Sequence, residues 1–568
     1  MRSPPIDPNS KLTEQVGGTR VVAPWSARLA RAVETALLLI AAIFFALHFV
    51  HLRADFPNHS PWMDWSKYTD EGWYGDAAIR HYQLGHWNVP GDFNAAAALP
   101  VWPAIELVLF RVTGVSLSAA RALTVVVFGL TMVCCYRLIR RWAALGTSVA
   151  AAIAVLLLAV SPFCFAFSRL AILEPLLVLL TLAAMLAASS VDAATWSRRA
   201  VVRAVALGLL LPLMVLTKTT GLFLFPAIFW LLWAASGYRV RPFLRAAAVA
   251  CGTGAVAWGA YYGLFVRPHY LLDYGYLFSA NAYTGITWDT FWKVLHDTAR
   301  DGSWMGEMLY VVAVTGMVAL LVGLCFRRFR GNPLAVALPL WILGYAAFLA
   351  YHDNLQPRYY LVIAVPLTMV AAIFADALLA GALGEVRRNW LRWVLRGAAA
   401  ASLGAVAFAA AHAAWMTVGY MLHPEYTWVS AAARIDAAIK REPGHPRLLL
   451  SISGSDLALM TGLPAICDDF GTMTLPDRVA AFRPGWFATW NDVEDDKMEA
   501  LAPLYRLVRV TAVPAFDDPE RNLFILYRLD PVGTPGPKGR PGRRRSLAVP
   551  NRLRTKLGEQ PSSIQLEH

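Results

Sequence analysis

The chain has 568 residues, of which 57% are hydrophobic and 16% charged, with a mean hydropathy of +0.47. Soluble domains carry roughly 25% charged residues, so the composition excludes an ordinary soluble protein and leaves a polytopic membrane protein. The formal charge of +13 does not mark a nucleic-acid binder, because much of it sits in short loops between apolar runs and in the last ~40 residues. Of the six cysteines, Cys134, Cys135, Cys164, Cys251 and Cys325 lie in or beside apolar runs and Cys467 is isolated, which implies neither a disulfide framework nor a zinc cluster.

Residues 1–28 lack a signal-peptide pattern, and the apolar run that follows is long and has no cleavage site, so it reads as a retained first helix. A crossing helix takes about 20 apolar residues. That length places eleven spans near 29–51, 118–138, 146–163, 175–190, 201–217, 219–235, 244–265, 307–325, 334–351, 359–380 and 394–418. With the N-terminus in the cytoplasm, the inside loops hold 20 Lys and Arg in 80 residues and the outside loops 10 in 128. That contrast sets the orientation. Residues 98–113 are apolar but short and carry Pro100, Pro103, Glu106 and Arg111. As a span they would move every later basic cluster outside, so they read as an interfacial helix on the outer face, with a short tilted span as the alternative.

Beyond residue 418 the pattern changes. Residues 425–530 read as a small α/β domain on the outer side, with an amphipathic helix at Trp428–Lys440 and strands at Arg447–Ser453 and Asn522–Leu529. Residues 531–568 are rich in Pro, Gly and Arg and read as a disordered basic tail. Its Arg543-Arg544-Arg545 run could touch anionic headgroups, and a solubilising role is the simpler reading. The domain plan is therefore an N-terminal cytoplasmic segment (1–28), a transmembrane domain (29–420) with large outer loops at 52–117 and 266–306, the outer α/β domain and the tail.

Several polar residues fall on the outer side. Asp70 and Glu71 start a helix that Thr69 can cap, with Trp73 and Tyr74 beside them. They could be ordinary first-turn acids; the aromatics, the bilayer surface and other charges on the same face point instead to chemistry. Glu174 lies at the next outer turn and could pair with Arg169. Lys218 interrupts more than thirty apolar residues, and such a lysine must reach water or an anion, by snorkelling or by binding. Arg358 follows the same logic at the start of a span. Lys and Arg can hold a phosphate and stabilise it as a leaving group. A carboxylate can deprotonate a hydroxyl, and Trp or Tyr can stack on a sugar ring. No P-loop, Rossmann fingerprint, kinase set or Gly-x-Ser-x-Gly is present, which favours a lipid-linked donor over a nucleotide sugar.

Four stretches, Asp70–Tyr74, Ser161-Pro162 with Arg169–Glu174, Leu216–Gly221 with Pro226, and Pro357–Leu361 with Pro366, occur in order over residues 29–380. In these the chain resembles the multi-spanning GT-C fold glycosyltransferases that use polyprenyl-phosphate sugars, a superfamily of protein O-mannosyltransferases, aminoarabinose transferases and lipopolysaccharide galacturonosyltransferases. The resemblance implies an all-α polytopic GT-C fold, with Asp70 as catalytic base or metal ligand and Glu71 beside it. Glu174 would be the second acid, and Lys218 and Arg358 would hold the lipid phosphate. Trp73, Tyr74, Arg169 and Tyr359 would line the sugar site. One departure is Ala98–Pro103, where many bacterial relatives carry a Lys/His-Pro-Pro phosphate contact; Arg80 or His81 would have to substitute.

The expectation is a membrane glycosyltransferase that moves a monosaccharide from a polyprenyl-phosphate sugar to an acceptor hydroxyl at the periplasmic face of an inner membrane. The acceptor is a glycan, lipid or protein, and no nucleic acid is involved. No cofactor is required, and Asp70 with Glu174 are the candidate ligands should a divalent metal take part. The tyrosines and tryptophans of 266–306 (Tyr270, Tyr274, Tyr276, Tyr283, Trp288, Trp292) would form a lid. The rival reading is a flippase of lipid-linked sugar, which usually shows paired repeats and broken mid-membrane helices; this chain shows no repeat. A non-catalytic scaffold would leave Lys218 and the acidic pair without a purpose.

Overall fold

The computed structural model describes residues 24–142, 149–193, 196–280, 287–325, 332–351, 356–383, 389–519 and 521–533. Residues 1–23, Tyr283 and the tail from 534 onward, Arg543–Arg545 included, lie outside the described residues.

In a bilayer each backbone N–H and C=O has to be satisfied within its own segment, which is why the apolar runs fold as helices. They are α1 (Pro24–Leu47), then two helices of the long loop that follows it, α2 (Asp70–Leu84) and α3 (Val101–Thr113), followed by α4 (Leu117–Arg141), α5 (Val149–Val160), the short α6 (Pro162–Phe167), α7 (Leu173–Ser190), α8 (Arg198–Thr217), α9 (Phe225–Ala235) and α10 (Val240–Tyr261). After these come α11 (Leu271–Ala280), α12 (Trp288–Arg300), α13 (Glu307–Cys325), α14 (Leu334–Tyr351), α15 (Leu361–Leu383) and α16 (Asn389–Leu422). Among the described residues eight helical stretches are long and apolar enough to cross a membrane, and three shorter apolar ones sit at 149–160, 219–235 and 307–323. Together they fall at the eleven expected positions.

Helix α3 has 13 residues, which at 1.5 Å per residue is about 20 Å and too short for a hydrocarbon core of about 30 Å. It buries Trp102, Glu106 and Phe110 and exposes Val108 and Val112. The span expected to end near residue 265 runs further. A wide-turned π stretch, Tyr262–Tyr270, carries α10 past Pro268 into α11, because a wider turn accommodates a residue that has no N–H to donate. The described residues of 266–306 are thus largely helical, with Tyr270 on the π stretch, Tyr274 and Tyr276 on α11 and Trp288 and Trp292 exposed on α12.

One apolar core, containing Phe163, Leu177, Met214, Ile228, Trp341 and Val365, joins α5 to α9, α14 and α15. The C-terminal domain begins with α17 (Thr427–Lys440) and continues through β1 (Leu449–Leu450), α18 (Gly454–Thr461), β2 (Ala465–Ile466), α19 (Leu475–Phe482), β3 (Trp486–Trp490), α20 (Asp495–Leu501), β4 (Tyr505–Pro514) and β5 (Leu523–Pro531). Its sheet has the order β2-β1-β3-β5-β4, with β1 parallel to β2 and β3, and β5 antiparallel to β3 and β4. Every residue of β3 is buried, as a central strand covered on both faces requires. The domain is seated on the long loop between α1 and α4. Asp55 accepts from Thr427 Oγ1 (2.8 Å) and Trp428 N (2.9 Å) at the start of α17, Trp73 Nε1 donates to the Ile452 carbonyl (2.9 Å), and Lys67 pairs with Asp518 at 3.3 Å.

Candidate active site

The site is assembled from helix ends. Asp70 and Glu174 occupy the first turns of α2 and α7, where the positive end of each helix favours a carboxylate. Lys218 follows the last residue of α8 in an extended conformation (φ −156°, ψ 125°), and Arg358 lies in the 3₁₀ turn Pro357–Tyr360 that opens α15. Polar groups at these positions leave the apolar helix interiors intact.

These four side chains converge. The Lys218 ammonium pairs with Glu174 Oε1, and the Arg358 guanidinium meets Asp70 Oδ2 at 2.7 Å and Glu174 Oε1 at 3.7 Å. Tyr359 lies beneath both cations, its ring centroid 4.0 Å from Lys218 Nζ and 4.9 Å from the Arg358 guanidinium carbon, a cation–π arrangement that steadies charge away from water. Tyr74 shares the electrostatic field of Asp70 and Arg358. All four charged groups are buried. Burial raises the Asp70 carboxyl above its ordinary range, while the nearby Arg358 opposes that rise.

Sequence reasoning missed Asp64. Its carboxylate caps the turn Trp65–Lys67 through Ser66 N (2.8 Å), accepts from Arg358 N (2.8 Å) and pairs with the Arg358 guanidinium. Trp65 N adds a bond to Gln356 Oε1 at 3.1 Å. Asp64 therefore ties the loop after α1 to the start of α15 and orients Arg358. Its signal was the Asp-x-Ser capping pattern between Trp62 and Trp65.

Other expected residues lie elsewhere. Glu71, next to Asp70 but rotated by one helical position, receives two bonds from Arg121 (2.7 and 2.5 Å) and one from Ala171 N (2.9 Å). Arg169 donates to the carbonyls of Val50 (2.8 Å) and His51 (2.6 Å) and stacks on Phe165, so it does not pair with Glu174. Trp73 packs against Phe93 and Phe470 at the domain junction. Arg80 is buried between Asp76 and Asp92, and His81 is exposed.

As a metal site, Asp70 and Glu174 fit poorly as they stand, because Arg358 contacts both carboxylates and Lys218 pairs with Glu174 as well. Among the described residues no three His, Cys, Asp or Glu side chains form a metal-binding group.

Comparison with known proteins agrees with this architecture. A model of the dolichyl-phosphate-mannose-protein mannosyltransferase family matches residues 97–257, a stretch that includes Glu174 and Lys218. No curated protein matches the chain in sequence. Among solved structures, apo ArnT from Cupriavidus metallidurans aligns with a TM-score of 0.58 and 16% identity over 87% of this chain and 98% of that one. The same protein bound to undecaprenyl phosphate aligns with a TM-score of 0.53 and 17% identity over 89% and 98%. The chain thus has the membrane fold of the GT-C glycosyltransferases, closed on its C-terminal side by a small mixed sheet domain.

Proposed function

We propose that the chain is a membrane glycosyltransferase that moves a monosaccharide from a polyprenyl-phosphate sugar to an acceptor hydroxyl at the outer, periplasmic face of a bacterial inner membrane. The observation that carries this reading is one buried cluster holding two cations, Lys218 and Arg358, together with the acid–base candidate Asp70, which Arg358 contacts, all at helix ends. ArnT from Cupriavidus metallidurans, which shares the fold, has been solved with undecaprenyl phosphate, which makes that carrier the first donor to test.

In this reaction the ionised Asp70 carboxylate takes the proton from the acceptor O–H. The acceptor oxygen forms a bond to C1 of the sugar as the bond from C1 to the phosphate oxygen breaks. The electron pair of that bond goes to the polyprenyl phosphate, whose added charge Lys218 and Arg358 stabilise. Glu174 and Asp64 hold these two cations in place before the donor arrives, and Tyr359 and Tyr74 supply aromatic surface for the sugar. Glu71, fixed by Arg121, supports the fold of the loop.

The test is transfer of radiolabelled sugar from a panel of polyprenyl-phosphate sugars in proteoliposomes, with Asp70→Asn alongside. Labelled acceptor and free polyprenyl phosphate are expected from the native chain alone. Label that crosses the bilayer still attached to lipid, equally in Asp70→Asn, would replace the transferase with a flippase.

A further inference from the structure

Helix α2 begins with Thr69 in the capping position, yet the Thr69 hydroxyl bonds Asp70 Oδ1 (2.8 Å) and the Trp65 carbonyl (3.1 Å) and gives α2 no side-chain cap. The amide of Gly72, at the third helical position, is where a capping side chain normally accepts. That amide donates instead to Asp456 Oδ1, on α18 of the C-terminal domain and 384 residues away in sequence. We propose that Asp456 is a positioning residue for the glycosyl transfer: it caps α2 from the neighbouring domain and so fixes where the Asp70 carboxylate stands.

Three further observations support this assignment, which rests on the function proposed above. A Cβ on Gly72 would lie 2.1 Å from the carbonyl carbon of Ser455 and 2.2 Å from the Asp456 amide nitrogen, so the α18 backbone presses directly on the first turn of α2, and a side chain at 72 would push it off. Ser455 Oγ donates to Asp76 Oδ1 at 2.9 Å one turn further along α2, so two consecutive residues of α18 hold two consecutive turns of α2. Asp456 is fully buried, which a surface cap would not be. Burial, with Glu71 and Asp70 nearby, pushes its carboxyl well above the ordinary range, against the pull of the Gly72 amide and Arg121. A neutral Asp456 still offers Oδ1 as an acceptor, and so does asparagine. Catalysis is sensitive to such placement, since a shift of about 1 Å at a reacting group can cost about 100-fold in rate.

The experiment compares native chain, Asp456→Asn, Asp456→Ala and Asp456→Ser for sugar transfer and for backbone amide exchange in detergent. Asp456→Ala and Asp456→Ser should lower kcat about 10- to 100-fold with donor KM little changed, and should speed exchange of the Asp70–Trp73 amides while exchange within the sheet of the C-terminal domain stays as it was. Asp456→Asn should restore both. The serine variant keeps a polar group without the reach, so it serves if the alanine variant does not fold. Equal kcat and equal exchange across all four proteins would overturn the proposal, as would a loss spread evenly over the whole C-terminal domain. If none of the four transfers sugar, the glycosyltransferase reading fails, and the exchange at Asp70–Trp73 still decides whether Asp456 caps α2.

Discussion

Asp70 faces two opposed influences. Burial favours its neutral form and Arg358 its ionised form, and burial is the larger. Only the ionised carboxylate can accept the acceptor proton. Transfer should therefore fall as pH drops, with its acid limb displaced to higher pH than the ordinary carboxyl value of about 3.9, and this limb should vanish in Asp70→Asn. That variant should lose about 100- to 10,000-fold in kcat while it inserts and folds normally, which detergent gel filtration and activity together will check. Lys218 and Glu174 behave as a unit. Removing one member of a buried pair typically costs about 3–5 kcal/mol because the other charge is left uncompensated, whereas an apolar replacement of both is often tolerated. Lys218→Met should thus lower the unfolding temperature and weaken donor binding. Lys218→Met combined with Glu174→Leu should recover much of the stability and none of the transfer. A double variant no more stable than the single one would show that Arg358 alone holds Glu174. Asp64 was missed because a carboxylate in an aromatic-rich loop carries no sequence mark of its partner, and Arg358 lies 294 positions away.

At the scale of elements, the apolar runs were legible because hydropathy over twenty residues is a local property. Their ends were less so: α10 continues through Pro268 into α11, since a π turn removes the break that proline normally imposes. In the C-terminal domain α17 was visible from its amphipathic repeat, and β5 from its run of apolar residues. The strand expected at Arg447–Ser453 is present but shortened to β1, and the two-residue β2 and the wholly buried β3 were not visible, because pairing with distant partners makes them strands. Helix α17 shows the same non-local logic at its start. It has no capping side chain of its own, and Asp55, from the loop after α1, supplies one. Asp55→Ala should cost about 1 kcal/mol, seen as a lower unfolding temperature. Asp55→Asn, which keeps an acceptor, should cost less.

For the whole molecule, the question is whether the membrane bundle and the C-terminal domain act as one body. Beside the aromatic contacts of Trp73, their junction holds a buried polar cluster around Asp92. Asp92 comes from the segment between α2 and α3. It pairs with Arg80 of α2 on one side, and on the other meets Arg478 of α19 at 3.4 Å and the Cys467 amide at 3.1 Å. Arg80, Asp92 and Arg478 are all buried, so one carboxylate balances two guanidiniums from two domains, with Asp76 as the other acid on Arg80. A junction of this kind holds only while every member is present, because an unpaired guanidinium cannot shed its charge and would seek water. Asp92→Ala should therefore do more than loosen a surface contact. It should cost about 3–5 kcal/mol, let the domain swing away from α2, and open the chain to protease at the junction around residues 424–426, with the helices of the bundle still protected. Because Asp456 rides on the same domain, exchange at the Asp70–Trp73 amides should rise in parallel. Faster proteolysis without faster exchange there would mean that α18 keeps its seat on α2 independently of Asp92, and that the two halves of the molecule are joined at two separable points.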